Sequence, residues 1–171
     1  YGTRYLTAMP TNLYGPGDHY DLETSHVLPA LLRRFDEARQ LGAPSVTLWG
    51  TGTARREFLY SDDLGDAVAC LLAEAEQVWS SLAPDAAPLI NVGCSEDLTI
   101  KSLAELIATV AGFEGEIVWD RARPDGTPRK QLDVSRMTAL GWRPRTTLKE
   151  GISLAYADYR ARAARGEFRL S

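Results

Sequence analysis

The sequence predicts an α/β fold, because short apolar runs typical of strands alternate along the chain with segments that carry one apolar helical stripe. The chain has 171 residues, 44% of them hydrophobic and 25% charged, which is the composition of a globular domain with one substantial core. It contains no internal repeat and no low-complexity linker, and its most loop-like stretch is 80–88. We therefore expect one continuous unit.

Six runs are predicted to be strands, since most of them are too short for a helix. They cover residues 5–9, 46–49, 57–60, 89–92, 116–119 and 130–134.

Helices are predicted where apolar residues recur at spacings of three and four. The three stripes are Leu28, Leu31, Leu32 and Phe35; Leu64, Val68, Leu71, Leu72 and Ala75; and Leu103, Leu106, Ile107 and Val110. A fourth helix is expected at Ile152, Tyr156 and Tyr159, because Thr147 and Glu150 form a capping-box pattern before it. Predicted helix ends are the N-caps Ser25, Ser61 and Thr99 and the stops Gly112 and Gly141.

Several classes of protein are disfavoured by composition. No apolar run approaches the roughly 20 residues of a membrane helix. Cys70 and Cys94 lack a Cys-x-x-Cys or histidine pattern, so they indicate packed thiols in a reducing cytoplasm rather than a metal site or a disulfide scaffold. The first residue is Tyr1 and no leader pattern follows it, so we expect the chain to begin inside a longer protein.

Charge is distributed unevenly along the chain. The net charge is -4, yet residues 121–149 hold eight bases against two acids, a local charge of +6. A basic stretch on an acidic chain suits a small anionic ligand better than a nucleic-acid duplex. From charge alone, a solvated surface with scattered ion pairs is the favoured interpretation.

The sequence lacks two features of a complete dinucleotide-dependent reductase. Gly50-Thr51-Gly52 is the nearest match to a glycine-rich fingerprint, but a strand-like run follows it where the fingerprint needs a helix. No tyrosine is followed four residues later by a lysine, the spacing that serves a tyrosine general acid.

Four segments in order resemble the GDP-L-fucose synthases, a family of extended short-chain dehydrogenases. They are PTNLYGP at 10–16, SHVLPALLRR at 25–34, WGTGTARREFL at 49–59 and DGTPRK at 125–130. The resemblance extends over about residues 5–159. His19-Tyr20 stands where the family usually has Asn-Phe, which leaves another nucleotide-sugar epimerase or reductase open.

The resemblance implies the carboxyl-terminal portion of such an enzyme. The fragment would hold the final strands of the Rossmann sheet, interleaved with a small α/β substrate-binding domain, while the amino-terminal cofactor-binding half is absent. The implied reaction is the NADPH-dependent 3,5-epimerisation and 4-reduction of GDP-4-keto-6-deoxy-D-mannose. A GDP-sugar substrate, NADP held mostly by the missing half, a homodimer and a cytoplasmic location follow from the same resemblance, without nucleic acid or membrane partners.

The resemblance also assigns site residues. His26 is expected to be the catalytic acid and to lie near the cofactor, which suits a side chain whose ordinary pKa of ~6.5 allows proton exchange near neutral pH. The turn formed by Pro10, Thr11, Asn12 and Leu13 is expected at the nicotinamide end. Arg34, Trp49, Arg56, Asp125 and Lys130 are expected to bind substrate through stacking, phosphate contacts and acceptor oxygens.

Each of these residues also has a purely structural interpretation. His26 could start a helix, Arg34 could end an apolar stripe in solvent, and Trp49 could fill the core. Arg56 could pair with Glu57 or Asp62, and Asp125 and Lys130 could be ordinary loop residues. For the chain as a whole, a non-catalytic nucleotide-sugar binding module and a nucleic-acid binder acting through residues 121–149 are the alternatives.

Overall fold

The computed structural model describes residues 4–82 and 87–168, and within them the chain forms eight strands and six helices. The α/β class predicted from the sequence is confirmed. In order the elements are β1 Thr7–Pro10, β2 Asn12–Tyr14, α1 Val27–Gln40, β3 Ser45–Trp49, β4 Arg55–Tyr60, α2 Ser61–Ala73, α3 Ala75–Ser81, β5 Leu89–Val92, β6 Asp97–Thr99, α4 Ile100–Ala111, β7 Glu116–Asp120, β8 Arg129–Lys130, α5 Ser135–Ala139 and α6 Leu148–Ala164.

The strands form three small sheets. β1 pairs with β5 and β3 pairs with β7, both in parallel. In the third sheet β4 pairs in parallel with β2 and β8 and antiparallel with β6. β4 is therefore the strand on which segments from three other parts of the chain converge.

Two hydrophobic clusters lie on either side of β4. Phe58 and Tyr60 belong to the larger cluster, with residues of α1, α4 and α6, whereas Leu59 belongs to the smaller one, with residues of α2, α3, β5 and α5. Alternate side chains of a strand point to opposite faces, so β4 can serve both clusters.

Several local predictions are confirmed. The stripe of α1 is buried, Thr99 accepts a hydrogen bond from the backbone N–H of Ser102, and Thr147 with Glu150 forms a capping box at α6. Gly112 and Gly141 follow α4 and α5 with φ of 71° and 79°, a left-handed conformation that glycine adopts without steric cost.

The predicted caps of the first two helices are wrong. His26, not Ser25, is the N-cap of α1, and Tyr60, not Ser61, is the N-cap of α2; neither makes a side-chain capping bond. β4 runs into α2 without a linker, so the last strand residue takes the cap position.

The second helical stripe is wrong in part. α2 ends at Ala73 and Ala75 begins α3, while Val68 and Leu72 point to solvent. Leu72 is 73% exposed, and Met9 on β1 is also exposed. Periodicity identified the helix but not which of its apolar residues are covered.

The strand predictions differ from the structure mainly near residue 132. The run 130–134 is wrong as a strand, because β8 contains only Arg129 and Lys130. The N–H of Leu132 binds the Glu57 carboxylate instead, and Asp133 accepts from the N–H of Ser135. Three-residue β2 and β6 were not predicted, and β1 is shifted from 5–9 to Thr7–Pro10. The predicted loop 80–88 is helical to Ser81 and lies partly outside the described residues.

Candidate functional site

The turn between β3 and β4 is held against the loop that precedes β8. Asp125 accepts one hydrogen bond from the Thr51 N–H at 2.9 Å and one from its hydroxyl at 2.7 Å. These bonds hold the pKa of Asp125 below its ordinary value. A Cβ at Gly50 would lie 2.2 Å from the Asp125 carboxylate, so the close approach requires glycine. Asp125 is an anchor of this turn, and Trp49 projects beside it, 63% exposed.

Arg56 joins β4 to the same loop. Its Nη1 donates to the carbonyl of Arg55 at 2.7 Å and to the carbonyl of Thr127 at 2.6 Å. Lys130 on β8 is the register partner of Arg56 and is exposed. Two cations therefore stand side by side on neighbouring strands. Within the described residues Arg56 forms no ion pair, so the suggested pairing with Glu57 or Asp62 is absent.

A pair of arginines, one on β4 and one on β8, binds Asp97 on β6. Arg55 donates to Oδ1 of Asp97 at 2.8 Å and Arg129 donates to Oδ2 at 2.5 Å. Hydrogen bonds from Arg55, and after them those from Arg129, lower the pKa of Asp97 to about 2. The clamp holds β4, β6 and β8 in register directly beside Arg56 and Lys130.

The segment from Pro10 to Leu13 runs alongside β4. Pro10 ends β1, and the N–H of Thr11 donates to the Val92 carbonyl at 3.0 Å. The Thr11 hydroxyl and the Asn12 amide both donate to the carbonyl of Glu57, at 3.2 and 2.7 Å. Glu57 directly follows Arg56, so the predicted cofactor segment lies beside a predicted substrate residue.

His26 and Arg34 lie on α1, apart from this bonded group. His26 is exposed at the N-cap, and Arg34 is half-buried eight residues later. Within the described residues, no hydrogen bond or ion pair joins the side chain of His26 or Arg34 to the other predicted substrate residues, which are Trp49, Arg56, Asp125 and Lys130. Their predicted roles stay predictions.

Two further residues at the site were not predicted from the sequence. Arg123 lies over the exposed ring of Trp49, with its guanidinium carbon 5.0 Å from the ring centroid. Glu57 is completely buried, and its carboxylate accepts from the N–H groups of Ser95 and Leu132. Arg123 lies in the basic stretch 121–149, which was a signal for it. Glu57 had no such signal, because no sequence pattern identifies a carboxylate that accepts from distant backbone amides.

A separate cleft of about 390 Å³ lies between β4, β6 and the start of α6. Its walls include Tyr14, Phe58, Tyr60, Cys94 and Arg145. None of the predicted site residues lines it. We place the candidate site at the charged edge formed by β3, β4 and β8, because that edge brings together cations, an exposed indole and the predicted cofactor segment.

Other site chemistry is limited in the part of the chain that the structure describes. Residues 4–82 and 87–168 contain no group of three metal-binding side chains. Cys70 and Cys94 are free thiols. No helix in these ranges has the length and apolar character needed to cross a bilayer.

The chain matches known proteins over most of its length. The family model "NAD dependent epimerase/dehydratase family" matches residues 1–87. The chain is 49% identical to "Probable GDP-L-fucose synthase 1" of Oryza sativa subsp. japonica, covering 93% of this chain and 46% of that protein. It is 47% identical to "GDP-L-fucose synthase" of Escherichia coli (strain K12), covering 91% and 49%.

A solved structure is also similar to nearly the whole of this chain and to about half of its own chain. The GDP-L-fucose synthetase of Naegleria fowleri bound to NADP superimposes with a TM-score of 0.79 at 25% identity, covering 97% of this chain and 49% of that one. The chain spans about half the length of the curated relatives it matches. By its matching family model and the shared α/β architecture, the chain belongs to the NAD-dependent epimerase/dehydratase family.

Proposed function

We propose that this chain provides the nucleotide-sugar site of a GDP-L-fucose synthase, which epimerises GDP-4-keto-6-deoxy-D-mannose at C3 and C5 and reduces it at C4. One observation carries the proposal: Arg56 on β4 pairs in register with Lys130 on β8, and Thr11 and Asn12 of the Pro10–Leu13 segment donate to the carbonyl of Glu57, the residue after Arg56. The names of relatives that are 47–49% identical support the same assignment.

Arg56 and Lys130 would bind the diphosphate. Nη1 of Arg56 is already occupied by two carbonyls, whereas within the described residues Nη2 and Nε form no hydrogen bond. Those two donors form one edge of the guanidinium, which matches the oxygens of a phosphate in a bidentate contact. The exposed ring of Trp49 offers a face for stacking on a base or sugar, and the Asp125 carboxylate would accept from substrate donors in addition to Thr51.

The cofactor of the proposed enzyme is NADP, which in its reduced form, NADPH, would supply the hydride for reduction at C4. The residues present fit its nicotinamide end, because Pro10 to Leu13 follow the carboxyl end of a parallel strand, where α/β folds bind ligands. The bonds from Thr11 and Asn12 to β4 fix this segment against the substrate cations.

His26 would exchange protons during epimerisation. A ketone at C4 acidifies the hydrogens on both neighbouring carbons, so a titratable group near neutral pH can return a proton to C3 or C5. Exposure of the imidazole at the start of α1 leaves it accessible to a bound sugar. Arg34, on the same helix, would contact the substrate.

The proposal includes a homodimer in the cytoplasm. The two free thiols are consistent with a reducing compartment. Size-exclusion chromatography with light scattering tests the oligomeric state, using a chimera in which this chain replaces the matching segment of the Escherichia coli synthase.

A chimera tests the proposed activity. Residues 1–171 replace the matching segment of the Escherichia coli synthase, and NADPH oxidation with GDP-4-keto-6-deoxy-D-mannose is followed while the product is identified by NMR. We expect GDP-L-fucose from the chimera and no NADPH oxidation by the 171-residue chain alone, since its sequence has no glycine-rich fingerprint and no tyrosine-lysine pair. Reduction without inversion at C3 and C5 would indicate a different nucleotide-sugar reductase, and turnover by the chain alone would contradict the proposal.

A further inference from the structure

Glu57 joins β4 to three other segments of the chain although its side chain never reaches the surface. The residue is 0% exposed. Its Oε1 accepts from the Ser95 N–H at 2.8 Å, and its Oε2 accepts from the Leu132 N–H at 2.9 Å. Its backbone carbonyl accepts from Thr11 and Asn12. One residue therefore binds the predicted cofactor segment through its main chain and two distant loops through its carboxylate.

The loop after β5 is shaped to bring its amide to this carboxylate. A Cβ at Gly93 would lie 2.3 Å from Oε1 of Glu57, so the loop can approach only with glycine there. Among the described residues, Ser95 is the non-glycine residue with a positive φ, at 66°. A serine in this region is strained by roughly 1 kcal/mol or more and persists where surrounding contacts hold it. The bond from its N–H to Glu57 is such a contact.

The second loop bound by the carboxylate carries one of the site cations. Leu132 lies two residues beyond Lys130, and Gln131 between them donates to the Ser95 carbonyl at 2.7 Å. The two loops are thus joined to each other as well as to Glu57. Because Leu132 lies two residues from Lys130, a displacement of the Glu57 carboxylate would also displace the backbone near Lys130.

A buried carboxylate is costly unless it is fully bonded, and an apolar side chain would fill a strand interior without that cost. The bonds of Glu57 therefore indicate a need for fixed geometry rather than for packing. Its side chain and that of Arg56 point to opposite faces of β4, so Glu57 does not itself face the diphosphate.

We propose that Glu57 is a positioning residue that sets the distance between the Pro10–Leu13 segment and the phosphate-binding cations Arg56 and Lys130. This inference rests on the proposed function. In that reaction the residue fixes the nicotinamide relative to the sugar and takes no part in proton exchange, which depends on His26 on a different element.

Glu57→Gln, introduced into the chimera, tests this role. The variant keeps the side-chain length and one acceptor oxygen, but its amide N–H groups face the N–H of Ser95 or Leu132. The matched control is Asp63→Asn, because Asp63 is also a buried carboxylate that accepts two backbone N–H groups, from Arg145 and Thr146 at 3.1 Å each. Both variants are assayed well below their measured melting temperatures.

Two rates distinguish positioning from general stabilisation. At saturating substrate we expect hydride transfer by Glu57→Gln to fall about 10 to 100-fold, the cost of a misplacement near 1 Å, while solvent-deuterium incorporation at C3 and C5 stays within about twofold. The KM values for the keto-sugar and NADPH should both rise. Asp63→Asn should change the two rates equally or not at all. A proportional fall of both rates in Glu57→Gln would overturn the inference.

Failure of the proposed function gives a different result. If the parent chimera neither exchanges nor reduces the keto-sugar, the proposed function is wrong, and the role of Glu57 is then judged by calorimetric titration of the 171-residue chain with GDP-mannose. Binding that is at least about tenfold weaker in Glu57→Gln than in Asp63→Asn would support positioning of the cations. Equal affinities, or no binding by the parent chain, would overturn it.

Discussion

Arg56 and Thr127 are joined by a hydrogen bond of 2.6 Å, from Nη1 of the guanidinium to the backbone carbonyl. The bond holds the loop before β8 against β4. It also fixes the plane of the guanidinium, because the same Nη1 donates to the Arg55 carbonyl. The donors on the other edge, Nε and Nη2, form no hydrogen bond within the described residues.

Arg56→Lys is expected to weaken GDP-sugar binding by about 1.5 to 3 kcal/mol, because lysine keeps the charge but loses the planar pair of donors. Calorimetric titration of the chimera measures the change. Arg136→Lys is the matched control, since Arg136 also donates to a backbone carbonyl, that of Leu89, but lies on α5. An unchanged dissociation constant in Arg56→Lys would assign Arg56 to loop anchoring alone.

His26→Asn is expected to lower solvent-deuterium incorporation at C3 and C5 by roughly 100 to 10,000-fold, the usual contribution of a positioned acid or base. NADP binding should stay near normal. Proton NMR of the sugar measures exchange in the chimera. His19→Asn is the control, because His19 binds Thr24 within the loop before α1. Exchange at the parent rate in His26→Asn would show that another group supplies the proton.

Asp97 is expected to make folding stability depend on pH in the acid range. Its folded pKa of about 2 lies below the ordinary 3.8, so the ionised form is favoured in the folded state. The stabilisation is present above about pH 4 and is lost as pH falls through the folded pKa. The free energy of unfolding of Asp97→Asn should therefore differ from the parent at neutral pH and approach it near pH 2. Urea titrations across this range test the expectation, which a pH-independent difference would refute.

Leu71 and Leu72 are adjacent on α2 but should respond very differently to truncation. Leu71 is 4% exposed and belongs to the smaller hydrophobic cluster, whereas Leu72 is 73% exposed. Leu71→Ala should cost about 2 to 5 kcal/mol of unfolding free energy, and Leu72→Ala less than about 0.5. Chemical denaturation of both variants provides the comparison. Similar losses would mean that Leu72 is covered in solution.

Sequence signals succeeded where the stabilising bond is local. Thr99, Thr147 and Glu150 form bonds within three residues, so the pattern contains both partners. The N-cap predictions at Ser25 and Ser61 were wrong because a serine before an apolar run does not show where the preceding segment ends. Val68 and Leu72 belong to the predicted apolar stripe but are exposed, because periodicity predicts a helix face and not what covers that face.

At the candidate site, Trp49, Arg56 and Lys130 were assigned through the family resemblance of short segments, and their roles stay predictions. The role of Glu57 could not be found in that way, because its partners are backbone amides at Ser95 and Leu132, far away in sequence. Backbone donors leave no mark in the sequence beyond the glycine that lets them approach.

The pairing of β4 with segments from three other parts of the chain also bears on how the protein folds. Among the described strands no pair is a hairpin, and the nearest partners in sequence are Glu57 and Asp97. Every sheet contact therefore requires closure of a long loop before any strand bond can form, and such topologies reach the native state slowly. The capped helices α4 and α6 can form early, whereas the edge that carries Arg56 and Lys130 is completed only when β4, β6 and β8 meet. Refolding should thus restore helical circular dichroism before it restores ligand binding.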